Sequence, residues 1–183
     1  MKYITKVKLK DKLFKIYKLE VIDVPIFKDL HQEILDTLKG EDKEFNSSYN
    51  YVRLKRNLKG KSIIYMVYCN KELIAYGFVF SLTNKAAPYW LNNCKIDKSD
   101  RRLVAEMVGA GVLPDFRGYG LQDYLFKLRE KYLKKIKYKY AVCSVHPKNI
   151  YSYNNLVKNN YVLISLGKNK YNHDRFYFKK EIN

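Results

Sequence analysis

The sequence predicts one domain of the α/β (α+β) class that spans residues 1–183. Segments whose apolar residues alternate, as in half-buried strands, are interspersed with segments whose apolar residues recur every three or four positions, as in amphipathic helices. The chain has 183 residues, of which 47% are hydrophobic, so it can bury a sizeable core. Neither an internal repeat nor a linker divides the sequence.

Two strands, two helices and a hairpin are predicted for the first half of the chain. These elements are strands at residues 2–10 and 13–23, a helix from Pro25 to Lys39, a helix from Ser48 to Leu58, and strands at Ser62–Asn70 and Glu72–Leu82. We expect Gly40 and Gly60 to end the two helices, because glycine readily adopts the conformation that follows a helix. Ser48 is expected to cap the second helix.

The second half is predicted to alternate between strands and helices. It comprises an irregular segment at Thr83–Arg102, a strand at Leu103–Leu113, a long helix that ends near Lys139, a strand at Tyr140–Val145, a helix at Asn149–Asn159, and strands at Tyr161–Leu166 and Arg175–Lys180. Gly109 and Gly111 interrupt the strand at Leu103–Leu113. Glycines inside a strand indicate a bulge or the close approach of another chain or a ligand.

A glycine-rich segment at positions 112–122, here named the cradle turn, joins that strand to the long helix. It reads Val-Leu-Pro-Asp-Phe-Arg-Gly-Tyr-Gly-Leu-Gln. N–H groups in the first turn of a helix lack an acceptor within the helix, and the helix dipole attracts anions there. Gly118 and Gly120 permit positive φ and close approach of a ligand, and the guanidinium of Arg117 suits phosphate. The segment is therefore either a pyrophosphate cradle or a tight strand-to-helix connection.

A second segment favours the cradle. From position 146 the chain reads His-Pro-Lys-Asn-Ile-Tyr-Ser, and Lys-Asn-Asn-Tyr follows at 158–161. Together the two segments resemble the acetyl-CoA-binding core of the GNAT family of N-acetyltransferases. The cradle turn resembles that family's Val-x-Pro-x-x-Arg-Gly-x-Gly signature, and the second segment resembles its Pro-x-Asn-x-x-Ala/Ser helix. The resemblance is specific over residues 104–165 and architectural elsewhere.

The resemblance implies a GNAT fold. This is a mixed, largely antiparallel central sheet of about seven strands, flanked by helices on both faces. The strand before the cradle turn and the strand after the long helix are expected to run parallel and to splay apart, with the pantetheine arm pairing in the splay. Relative to the usual order of elements, this chain carries an extra strand at its front.

The resemblance also implies acetyl-CoA as co-substrate. The residues expected to bind it are Val112, Leu113, Pro114, Arg117, Gly118, Tyr119, Gly120, Leu121, Gln122, Asn149 and Ser152. Gln122 departs from the longer signature, which prefers glycine or alanine. Asn149 is expected to bond the pantetheine amides, and the alternative for it is helix N-capping. No metal is expected.

The implied reaction transfers an acetyl group to a primary amine of a small molecule or protein. Glu106 is the expected general base, because it is the one acid in an apolar strand and resembles the glutamate of GNAT histone acetyltransferases. Alternatively it faces solvent or pairs with Arg101 or Arg102. A backbone N–H near Val112 or Leu113 is expected to stabilise the oxyanion.

The acid that protonates the leaving thiolate is a departure from the family. Leu156 occupies the position where GNAT enzymes often carry a tyrosine. Tyr153, Ser152 or water remains for this role, and core packing is the alternative for Tyr153. The missing tyrosine keeps open a second function, a GNAT-fold acyl-CoA-binding protein with little catalytic activity.

The amine acceptor is not specified by the sequence. Its pocket is expected at Asn46–Arg56, Ala87–Trp90 and Tyr171–Phe176. Arg53, Arg56 and Arg175 could bind a carboxylate there, and Asp174 an amine. No role is assigned to His31 or His173.

Composition bounds the remaining possibilities. The net charge of +18 comes from lysines spread through every segment, so we expect a solvated basic surface and no specific nucleic-acid partner. No apolar run is long enough to cross a membrane. Cys69, Cys94 and Cys143 are odd in number and lack Cys-x-x-Cys spacing, so neither a disulfide framework nor a zinc site is expected. We expect a cytoplasmic monomer or homodimer.

Overall fold

The computed structural model describes residues 1–45, 49–82, 91–169 and 172–182. These residues include nine strands and four helices of eight residues or more. The chain divides into two compact units. The first comprises Met1–Val79 and Val108–Phe126, and the second comprises Phe80–Met107 and Lys127–Asn183.

The first unit is an antiparallel sheet with two helices. Its elements are β1 (Lys2–Leu9), β2 (Lys12–Lys18), α1 (Val24–Asp36), α2 (Tyr51–Leu58), β3 (Ile63–Cys69), most of β4 (Glu72–Ser81) and β6 (Ala110–Val112). Strands β1 to β4 pair in chain order, and β6 pairs with β4. Nearly every residue of β3 is buried, as its run of apolar residues requires.

The second unit is a mixed sheet. Its elements are the end of β4, β5 (Val104–Glu106), most of α3 (Leu121–Lys135), β7 (Tyr140–Val145), α4 (Ile150–Lys158), β8 (Val162–Lys168) and β9 (Asp174–Glu181). Strand β5 pairs with β4 in antiparallel and with β7 in parallel orientation, whereas β7–β9 and β8–β9 are antiparallel. The predicted class, a mixed and largely antiparallel sheet flanked by helices, is therefore confirmed, with nine strands in place of about seven.

The prediction of a single strand at Leu103–Leu113 is wrong, because residues 107–109 separate two short strands, β5 and β6. Gly109 lies in this break, as a glycine-marked irregularity predicts. The glycine at position 111 is required by crowding from neighbouring side chains. A Cβ there would lie 2.5 Å from the ring of Tyr76 and 2.8 Å from Cδ1 of Ile34. The close approach at Gly111 is therefore made by two side chains of the same unit.

Several element boundaries differ from the prediction. Strand β2 ends at Lys18, and a 3-10 helix at Val21–Asp23 leads into α1, because Glu20 N–H donates to Oδ2 of Asp23 at 3.2 Å. Helix α2 begins after Asn50, whose side chain accepts a hydrogen bond from Arg53 N–H at 2.9 Å. Asn50 is the cap, while Ser48 lies outside the described residues.

Helix α3 ends at Lys135, before the predicted end near Lys139. Lys137 adopts a φ of 58°, a left-handed conformation that commonly terminates a helix. Over the ranges that the structure describes, no helix combines the length and apolarity needed to cross a membrane.

Candidate functional site

The cradle turn lies in the first unit and has the backbone that its glycines predict. After β6 the chain makes a 3-10 turn at Pro114–Phe116 and then enters α3. Gly118 and Gly120 have φ angles of 79° and 81°. A Cβ at either position would meet nothing within 4 Å. The left-handed backbone, and not crowding, therefore selects glycine at both positions.

Helix α3 starts directly behind the second glycine. The N–H of Tyr124 donates to the carbonyl of Gly120 at 3.0 Å, which is the first hydrogen bond of the helix. The helix then continues for 15 residues, so its dipole is fully developed. A glycine turn followed by a helix of this length is an arrangement that can bind a phosphate group.

Arg117 is exposed and connects three parts of the first unit. Its Nε donates to the carbonyl of Val112 at 3.2 Å, and its Nη2 donates to Oγ1 of Thr37 at 3.3 Å. The Thr37 hydroxyl in turn donates to the carbonyl of Ile34 at 2.7 Å, at the end of α1. Nη1 of Arg117 has no hydrogen bond within the described residues. The guanidinium thus fixes the cradle turn and keeps one nitrogen for a ligand.

The backbone of Val112 points away from β4. Leu113 N–H donates to the carbonyl of Ile74 at 2.9 Å, and Val112 lies opposite Ala75 in the same antiparallel ladder. Successive residues of such a ladder direct their backbone groups to opposite sides, so Val112 directs its N–H outward. The carbonyl of Val112 also points away from β4, because it accepts a hydrogen bond from Arg117. Of the two predicted oxyanion donors, Leu113 is therefore excluded, and Val112 remains.

Glu106 lies in the second unit, at the end of β5. It is half-buried and is paired with Phe80 of β4 and Val142 of β7. The negative charge of its carboxylate affects the pKa of two buried thiols, Cys94 and Cys143. Burial raises the pKa of Cys94 to about 12 and that of Cys143 well above its usual value, and the carboxylate of Glu106 adds to both shifts. The side chains of Arg101 and Arg102 are exposed in the preceding 3-10 helix.

The parallel strand pair predicted around the candidate base is present. Val104–Glu106 pair with Tyr140–Val142, and Met107 N–H donates to the carbonyl of Val142 at 2.7 Å. The last residues of β7, up to Val145, pair with β9. Within this unit the β5–β7 pairing thus stops halfway along β7, and a splay beyond this point stays a prediction.

Asn149 caps α4, which is the alternative that the sequence offered for it. Its Oδ1 accepts a hydrogen bond from Ser152 N–H at 3.0 Å. The side-chain Nδ2 has no hydrogen-bond partner in the described part of the chain. Asn149 therefore keeps its two amide protons available, and binding of acetyl-CoA by Asn149 and Ser152 stays a prediction.

Tyr153 packs on the sheet of the second unit. Its ring meets Phe176 and Phe178 of β9 edge-on, with centroids 5.8 Å and 5.5 Å apart. Leu156, which we expect at the position where GNAT enzymes often carry a tyrosine, is 2% exposed. These contacts fit the packing alternative for Tyr153, and its role as an acid stays a prediction.

The predicted acceptor segments are only partly described. Asn46, residues 87–90 and Tyr171 lie outside the described residues. The side chains of Arg53 and Arg56 are exposed on α2, whereas Arg175 is buried and its Nη1 donates to the carbonyl of Asp174 at 2.9 Å.

His31, for which the sequence predicted no role, is buried in the first unit. Its Nδ1 is 2.8 Å from the hydroxyl of Tyr76, and its ring stacks on Phe27 at 5.7 Å. The signal for this was the helical spacing of Phe27, Leu30 and Ile34, which puts position 31 on the same apolar face.

Comparison with known proteins identifies the fold. No protein-family model and no curated protein sequence matches the chain. Solved structures do match. A GNAT-family acetyltransferase from Listeria monocytogenes has a TM-score of 0.69 at 12% identity, with 97% of this chain and 99% of that chain covered. The chain has the GNAT acetyltransferase fold.

Two further acetyltransferase structures have a similar fold. The phosphinothricin acetyltransferase from Sinorhizobium meliloti, solved with AcCoA, has a TM-score of 0.69 at 11% identity over 98% of this chain and 90% of its own. A ribosomal-protein-alanine N-acetyltransferase from Brucella melitensis has a TM-score of 0.67 at 11% identity over 91% and 98%. At identities this low, the structural match establishes a shared fold only. The activity has to be inferred from the chain's own residues.

Proposed function

We propose that the protein is an acetyl-CoA-dependent N-acetyltransferase that acts on a primary amine of a small molecule or protein. The observation that carries this proposal is the pair of left-handed glycines, Gly118 and Gly120, directly in front of a 15-residue helix. This arrangement suits a pyrophosphate. Neighbours of the same fold, including those from Sinorhizobium meliloti and Salmonella typhimurium, were solved with acetyl-CoA.

Acetyl-CoA is proposed to bind through the residues that the sequence indicates. These are Val112, Leu113, Pro114, Arg117, Gly118, Tyr119, Gly120, Leu121, Gln122, Asn149 and Ser152. Backbone N–H groups of the cradle turn and the free nitrogen of Arg117 bind the phosphates. The side-chain amide of Asn149 bonds the pantetheine arm. No metal takes part.

Glu106 is proposed as the general base. Its carboxylate accepts a proton from the amine, directly or through a water, and the amine nitrogen attacks the thioester carbonyl carbon. The N–H of Val112, which points away from β4, stabilises the oxygen as it becomes negative. The carbon–sulfur bond then breaks, an amide forms, and the thiolate takes a proton from Tyr153, Ser152 or water.

Binding of an acyl-CoA with little catalysis is the second candidate function. It is favoured by Leu156, which is buried where the family carries a tyrosine, and by the edge-on packing of Tyr153 against β9. A screen of amines with acetyl-CoA, with released thiol as the readout, separates the two functions. Release that depends on an amine supports the transferase. Binding of acetyl-CoA with no release of thiol in the presence of any amine supports the second candidate.

A further inference from the structure

The hairpin of β1 and β2 carries two lysines that lie against the cradle turn, within the first unit: Lys10 in the turn and Lys12 at the start of β2. Nζ of Lys12 is 4.7 Å from the ring centroid of Phe116 and 4.9 Å from that of Tyr119. Nζ of Lys10 is 5.5 Å from the Tyr119 centroid. Because Phe116 and Tyr119 belong to the cradle turn, both ammonium groups lie at the segment that precedes α3.

The hairpin positions the two lysines, Lys12 through strand β2 and Lys10 through the turn before it. Lys12 and Phe14 are two residues apart on β2 and point to the same face of the sheet. Phe14 is fully buried and packs edge-on against Tyr119, with 6.0 Å between centroids. Lys10 has a φ of 54° in the two-residue turn, a conformation more often found for glycine or asparagine. The turn thus keeps a lysine at a position where the backbone favours other residues.

In the part of the chain that the structure describes, the two ammonium groups have no counter-ion. Within the described residues neither Lys10 nor Lys12 forms an ion pair, even with the neighbouring Asp11. In the cradle turn itself the charges of Asp115 and Arg117 offset each other. The hairpin lysines therefore supply the excess positive charge beside the predicted phosphate site. A cation–π contact at a partly exposed site is weak, so an arriving phosphate can replace it.

We propose that Lys10 and Lys12 bind phosphate groups of coenzyme A, next to the backbone of the cradle turn. An ammonium is a compact charge on a flexible stem, which suits a phosphate that approaches from solvent. The hairpin that carries both lysines includes the extra strand at the front of the chain. This inference rests on the proposed function, because it assumes that the cradle turn binds coenzyme A.

Titration calorimetry with coenzyme A at low salt tests the proposal. The double variant Lys10→Met/Lys12→Met keeps the length of the side chains and removes their charge. We expect its Kd to rise about fivefold or more, as for the loss of two partly exposed charge pairs. Lys15→Met is the matched control, because Lys15 is exposed on the opposite face of β2. Its Kd should change less than about twofold.

Two further measurements sharpen the test. Lys10→Arg/Lys12→Arg keeps the charge and should bind coenzyme A nearly as well as the wild type. The same comparison is made with 3′-dephospho-coenzyme A. If Lys10→Met/Lys12→Met no longer weakens binding, the lysines bind the 3′-phosphate; if it still does, they bind the pyrophosphate. Either result supports the proposal.

The outcomes distinguish this proposal from the proposed function. If the wild type does not bind coenzyme A at all, the proposed function fails. If the wild type binds and the folded Lys10→Met/Lys12→Met variant binds equally well, the cradle turn acts without the lysines, and only the inference about Lys10 and Lys12 is overturned.

Discussion

Arg117 donates a hydrogen bond through Nη2 to the hydroxyl of Thr37, 3.3 Å away. This bond joins the cradle turn to the C-terminal end of α1. The phosphate-binding arginine that the sequence predicts is therefore also a structural tie.

We expect Thr37→Val and Arg117→Ala to separate these two contributions. The valine is close in shape to threonine but lacks the hydroxyl, so it loses the hydrogen bond from Arg117 and the one to the carbonyl of Ile34. It should lower the free energy of unfolding by about 0.5–1.5 kcal/mol and weaken acetyl-CoA binding slightly. Arg117→Ala removes the tie and the charge and should weaken binding more. Denaturant unfolding and calorimetry measure the two effects. Equal loss of binding in both variants would mean that Arg117 does not contact phosphate.

Gly120→Ala should destabilise the protein, because alanine at a φ of 81° is strained. The expected cost is about 1–2 kcal/mol. Gly60→Ala is the matched control. Gly60 lies outside the left-handed region, and a Cβ there would make only an ordinary contact of 3.5 Å with the carbonyl of Asn57. The comparison of unfolding midpoints checks this. Similar stability of the two variants would contradict the left-handed turn.

Stability should fall as the pH rises above about 9. Burial raises the pKa of the Cys94 thiol from 9.0 to about 12, so the unfolded chain loses this proton earlier than the folded protein does. Unfolding then becomes more favourable with pH between these values, with a slope that approaches about 1.4 kcal/mol per pH unit for the one thiol. Urea titrations at several pH values measure the slope.

Cys94→Ala is the control for this pH dependence. It removes the Cys94 contribution and leaves that of Cys143, whose pKa burial also raises. The variant should therefore show a shallower slope above pH 9, whatever its stability at neutral pH. An unchanged slope would mean that Cys94 ionises as easily in the folded protein as in the unfolded chain.

Glu106→Gln should lower turnover while leaving acetyl-CoA binding intact. The amide keeps the shape of the side chain and cannot accept the proton, and general-base catalysis typically contributes about 10²–10⁴-fold. The residual rate should rise with pH, because more of the amine then arrives deprotonated. Steady-state kinetics on the best amine from the screen provide the test. Near-normal turnover at neutral pH would assign the base to another residue or to water.

Local patterns predicted those parts of the fold that local chemistry determines. Tyr140–Val145 is a strand over the predicted residues, and the hairpin of β3 and β4 turns at Asn70, where a φ of 55° suits asparagine. In the cradle turn, the positive φ of Gly118 and Gly120 followed from the motif.

Features that depend on distant residues could not be predicted in this way. The place of Gly111 is fixed by Tyr76 and Ile34, which other elements bring against it. The bond between Arg117 and Thr37 joins residues 80 positions apart. Leu113 N–H donates to the carbonyl of Ile74, a hydrogen bond that depends on the pairing of β6 with β4. Periodicity and motifs contain no information about such partners.

Calorimetric titration of the wild-type protein with acetyl-CoA tests the central claim most directly. We expect saturable binding at one site per chain, and its loss in Gly120→Val, where a branched side chain forces the backbone out of the left-handed conformation. Gly60→Ala should bind normally. Absence of binding heat with both acetyl-CoA and free coenzyme A, supported by an unchanged melting temperature, would contradict the account.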